Sequence, residues 1–156
     1  MITLIRHIAI AIPLILLQWL VLGDLRVYDA MADVLLLYVA WLAFTQGRQA
    51  GTIGGFLMGF VYDAIFGTWG IHMFLKTFLG FVIGTFHEAD RDAFRIQPRQ
   101  GFLGSLMIAL LHNGLEIIFL AFQEGSTNAW MIGALWLGSA LYTAVLATII
   151  VLFSTR

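Results

Sequence analysis

The stretch GTIGGFLMGFVYDAIFGTWGIHMFLKTFLGFVIG, residues 51–84, decides how the rest of the chain is read. It holds eight of the sixteen glycines, together with Asp63, His72 and the only lysine, Lys76. Gly51, Gly55 and Gly59 recur every fourth residue and therefore line one stripe of a helix. Gly80 and Gly84 repeat that spacing beyond the short break Gly67-Thr68-Trp69-Gly70. In lipid the hydrophobic effect no longer drives helices together, so stripes of small residues that let backbones approach closely become the packing device. The pattern predicts a tight transmembrane hairpin, with arms at about 50–66 and 69–86 and polar groups in its interior. A re-entrant hairpin that dips in and leaves on one side is the rival topology, because both arms are only nearly long enough to span.

Working outward, composition sets the class. The 156 residues are 61% hydrophobic and 11% charged, with a mean hydropathy of +0.94, which points to one all-α polytopic membrane domain over 1–156. A net charge of −1 gives no basic face for nucleic acid, and the absence of cysteine excludes disulfides and thiolate metal sites. Besides the hairpin arms, apolar segments at about 4–22, 30–44, 101–122 and 129–153 bring the expected spans to six, where about 20 residues cross a bilayer core. The first follows Arg6 and His7 like a secretory signal, but it lacks a small-residue cleavage site and is read as a retained span. Pro13 is expected to kink it. The second is entered through Asp29 and Asp33.

Short-loop arginines set the orientation. With the N-terminus inside, Arg6, Arg48, Arg91, Arg95, Arg99 and Arg156 are cytoplasmic and Arg26 alone is outside, so both termini are expected inside. The one longer extramembrane segment, residues 87–100, is basic through Arg91, Arg95 and Arg99, with Pro98 expected to close any helix there. It reads either as a solvated loop or as an interfacial helix whose arginines meet anionic headgroups or a cytoplasmic partner.

Ionisable residues within spans are functional candidates, because an unpaired charge in lipid is costly. Asp63 and Lys76 lie at similar depths on the two arms. They are expected to form a salt-bridge clasp, with a proton or substrate-carboxylate site as the alternative. His112 and Glu116 share a face of the fifth segment at i, i+4 spacing, with Asn113 adjacent. Two ligands are too few for a metal site and HExxH is absent, so a hydrogen-bonded interhelical contact is expected and no metal or cofactor. His72 is expected at the membrane interface. No nucleophile elbow, paired aspartate motif or phosphate loop is present, which points away from an enzyme.

The motif Gly55-Phe56-Leu57-x-Gly59-Phe60-x-x-Asp63, followed by Gly67, Gly70 and Gly80, resembles the core of the rod-shape-determining protein MreD family. Asp33-Val34-Leu35-Leu36-Leu37-Tyr38-x-Ala40, with Gly47 after it, resembles that family's second helix and turn. The resemblance covers residues 29–84; beyond it, the last two segments agree in hydrophobicity alone. It implies a multi-pass protein of the bacterial inner membrane that acts as a non-enzymatic scaffold of cell elongation and shape. The implied partners are a single-pass MreC-like protein and, through it, the MreB filament and the transpeptidase–RodA peptidoglycan synthase. It also implies a fold similar to the substrate-binding subunits of energy-coupling-factor transporters. A small-solute, vitamin-type binding subunit is therefore the rival function, with His72, Asp63, Lys76 and Glu116 as candidate pocket residues. For the scaffold, Gly133, Gly138 and Ser139 of the last segment form the expected partner groove.

Overall fold

The computed structural model describes residues 2–26, 30–68, 70–87, 97–124 and 129–154. They form six helices and no strand among the described residues. Helix α1 is Ile2–Leu16, continued by a π-helical turn over Leu17–Leu22. Helices α2 (Val34–Gln46), α3 (Arg48–Phe66), α4 (Ile71–Gly84) and α5 (Pro98–Glu124) follow. Helix α6 runs through Ala129–Gly133, a π-helical stretch Ala134–Gly138, and Ser139–Ser154.

Each expected segment is helical, but the lengths differ from six uniform spans. Two helices, in the stretches Pro98–Phe122 and Ala134–Phe153, are long and apolar enough to cross a membrane. At 1.5 Å per residue the 13 residues of α2 reach about 20 Å and the 14 of α4 about 21 Å. Helix α2 starts at Val34 rather than residue 30, because Asp33 adopts extended φ/ψ and its side chain caps the helix by accepting from Leu36 N–H. Pro98 opens α5, where at the first helical position its missing N–H costs nothing; residues 88–96, where a helix closed by Pro98 was expected, lie outside the described residues.

The hairpin expected from the glycines is present, and its arms touch backbone to backbone. A Cβ added at Gly51 would overlap the carbonyl oxygen of Gly80, at Gly55 that of Lys76, and at Gly59 that of His72. Gly84 lies against Arg48 in the same way, so the antiparallel register is set along the whole contact. Gly67 ends α3 in the left-handed region (φ 74°) and Gly70 precedes α4 at φ 97°, conformations that a Cβ would strain.

Polarity is distributed inside out. Gln18, Asp33, Asp63, His72, Lys76 and His112 are buried, whereas Trp19, Ile53, Phe78, Met107, Phe122 and Phe153 stand exposed. Water favours the reverse arrangement. The apolar interior forms two clusters: Ala32, Leu35 and Val39 meet Met58 and Tyr62, and Leu36 and Leu79 meet Ala109 and Ala140.

Candidate functional site

The buried polar groups converge where α2 and α4 begin, so the site is built from helix ends. Asp63, one turn from the end of α3, reaches across the tight turn to the start of α4. Its carboxylate accepts from Thr68 Oγ1 (2.9 Å), Gly70 N–H (2.9 Å), His72 N–H (3.1 Å) and Met73 N–H (2.9 Å). These include N–H groups that no helical carbonyl can satisfy, and an anion there also complements the helix dipole. Asp63 is thus fully hydrogen-bonded without a lysine.

Lys76 accordingly does not pair with Asp63. It forms its ion pair with Asp33 at the start of α2, while its ammonium sits 4.3 Å from the centre of the Tyr62 ring. The expected clasp across the hairpin is replaced by a clasp between α4 and α2. The reason is competition: four donors already occupy Asp63, whereas Asp33 uses one oxygen for Leu36 N–H and turns the other to Lys76.

The backbone before α2 is non-helical and largely buried, and side chains from other helices bond it. Gln18, in the π-helical turn of α1, donates to Ala32 C=O (3.0 Å) and accepts from Val34 N–H (2.8 Å). From α6, Ser139 Oγ accepts Met31 N–H and Thr143 Oγ1 accepts Asp33 N–H, both at 3.1 Å. Irregular backbone inside an apolar body needs such substitutes for water. Nothing in residue spacing marked Gln18, Ser139 and Thr143 as one set; the signal available was that each is polar within an apolar run.

His72 is buried, packed between the Tyr62 ring (centroids 4.1 Å apart) and the His112 ring (5.5 Å). Its Nε2 lies 3.4 Å from one Glu116 oxygen, and the other Glu116 oxygen is 3.9 Å from His112 Nδ1. Asn113 makes the expected interhelical contact: its amide donates to Leu135 C=O (3.2 Å), and its oxygen faces His112 Nδ1 at 3.1 Å. A cavity of about 180 Å³ opens beside these groups, bounded by Asp33, His72, His112 and Glu116 and, nearer its rim, by Arg26 and Thr68.

The expected partner groove on α6 is largely used internally. Gly138 faces Ala30, Ser139 is buried, and only Gly133 has open space around it. A different groove, apolar and about 420 Å³, runs between α5 and α6, lined by Leu110, Leu111, Gly114, Ile118, Ile132 and Trp136. Trp136 ties its wall to α5 by donating from its indole N–H to Leu110 C=O (3.0 Å). Arg99 is exposed in the first turn of α5, whereas Arg91 and Arg95 lie outside the described residues.

Comparison with protein-family models, curated proteins and solved structures finds no match, including none to a transporter subunit.

Proposed function

We propose that the chain is a multi-pass protein of the bacterial inner membrane and a non-enzymatic scaffold of the cell-elongation machinery, as its MreD-like motifs imply. The observation that carries this reading is the polarity: the buried, partnered charges Asp33, Asp63 and Lys76 lie beneath a surface of exposed Phe, Leu, Ile and Trp. Such a body offers water little to work on and meets its partners within the bilayer. The short helices are compatible with six crossings.

The groove between α5 and α6 suits the transmembrane helix of an MreC-like single-pass partner, because its walls are apolar and two of its side chains, Leu111 and Ile118, are half exposed. Through that partner the protein would position the transpeptidase–RodA synthase relative to the MreB filament. Replacing Leu111 and Ile118 together by Ala strips the groove without touching the buried network. The double variant is expected to lose co-purification of the partner in mild detergent by at least about tenfold, at unchanged melting temperature, and to fail to restore rod shape in depleted cells. Undiminished co-purification with the double variant would remove the groove from the proposal.

The vitamin-binding reading draws on the cavity beside Glu116. At about 180 Å³ it falls below the roughly 300–1,000 Å³ of ordinary ligand pockets, so the scaffold is the better supported function. Tight binding of a vitamin-sized solute, with an ATPase pair co-purifying, would reverse that order.

A further inference from the structure

His72, His112 and Glu116 each offer a ligand atom, and the three atoms lie within 4.8 Å of one another. From these residues we infer a binding site for a divalent first-row transition ion, with zinc as the ion to test, at the junction of α4 and α5. Two histidines and one carboxylate, with a fourth position left to water, is a donor set that zinc accepts.

The separations are near those required. Zinc holds nitrogen and oxygen ligands at about 2.0–2.2 Å, which sets tetrahedral neighbours about 3.3–3.5 Å apart. His72 Nε2 and Glu116 Oε1 are already 3.4 Å apart.

The second support is independent of spacing. His112 Nε2 is a buried nitrogen without a hydrogen-bond partner among the described residues. A buried polar atom left unpaired is costly and calls for an explanation. For His112 the surroundings supply one. Asn113 donates its amide to the carbonyls of Leu135 and Trp136, which fixes its oxygen towards His112 Nδ1. His112 must then carry its proton on Nδ1, leaving the Nε2 lone pair free. An outer hydrogen bond that fixes the tautomer of a ligating histidine is the usual companion of a metal site.

Charge favours a cation at this place. Asp33 is matched by Lys76, and Asp63 by four donors. Among the described residues, Glu116 has only the two histidines within ion-pair distance. Glu116 also remains 22% exposed by side chain and borders the cavity, which gives an ion a way in and a fourth ligand room to bind.

The test uses the full chain in detergent, stripped with a chelator and titrated with Zn²⁺ and Co²⁺. The expected result is one ion per chain, intense visible Co²⁺ bands of a four-coordinate site, and a zinc-dependent rise in melting temperature. His72→Gln, His112→Gln and Glu116→Gln should each weaken binding by at least about 100-fold, beyond the 10- to 100-fold typical of outer-shell changes. His7→Gln, at the opposite end of α2 beside Tyr38 and Gln46, should leave it unchanged. If a variant fails to fold, the wild-type Co²⁺ spectrum decides. Weak six-coordinate bands, no uptake at micromolar free metal, or equal binding in the folded variants overturns the site.

Discussion

Asp63 and Asp33 are both buried carboxylates at helix starts, yet they hold different partners because their donors differ. Asp63 satisfies four donors around the α3–α4 turn, and Asp33 shares itself between Leu36 N–H and the ammonium of Lys76. Removing one member of a buried ion pair strands the other charge and typically costs about 3–5 kcal/mol, whereas removing both restores much of it. Lys76→Met and Asp33→Asn should therefore each lower stability strongly, with the double variant well above the sum of the losses. Lys76→Met combined with Asp63→Asn should instead be nearly additive, since among the described residues those two form no ion pair with each other. Asp63→Asn alone points an amide N–H₂ at donors and should cost about 1–3 kcal/mol per donor left unsatisfied. Thermal melts of the three single and two double variants in one detergent check all of this. Coupling of Lys76 with Asp63 rather than with Asp33 would contradict the network.

At the scale of the element, the α3–α4 hairpin behaves as one rigid unit because its glycines bring two backbones into contact. Gly55→Leu or Gly59→Leu forces a side chain into the carbonyls of Lys76 or His72. The cost is at least the roughly 1–3 kcal/mol of ordinary overpacking, because backbone cannot rotate away as a side chain can. Gly133→Leu, in open space on α6, should leave the melting temperature unchanged. Gly67→Ala and Gly70→Ala meet no neighbour but keep positive φ, so each should cost about 1 kcal/mol from backbone strain alone. Equal tolerance of Leu at positions 55, 59 and 133 would mean that the stripe faces lipid. The hairpin was legible in sequence because glycine spacing at a helical period has a direct geometric meaning. The start of α2 was not legible: residues 30–32 are apolar enough to continue a helix, and they stay outside it where Gln18, Ser139 and Thr143 supply bonds from distant parts of the chain.

On the scale of the whole molecule, the proposed orientation rests on arginines in short connections. The chain has no cysteine, so single cysteines report the topology cleanly. Thr68→Cys should react with an impermeant thiol reagent added outside intact cells, and Gln97→Cys only after permeabilisation. Protection of position 68 with the other result unchanged would favour a re-entrant hairpin. Sequence alone determined the helical class, the approximate limits of the six helices and the glycine contact between α3 and α4, because hydropathy and helical period act over neighbouring residues. Tertiary structure alone decided which charges meet. Lys76 chose Asp33, 43 residues away, over Asp63, 13 residues away, because the turn had already filled Asp63 with donors. It also set His72 beside His112 and Glu116, a threefold cluster from two helices 14 residues apart in sequence at their nearest ends. Pairings of that kind depend on where whole helices come to rest, and no local pattern in the chain encodes that placement.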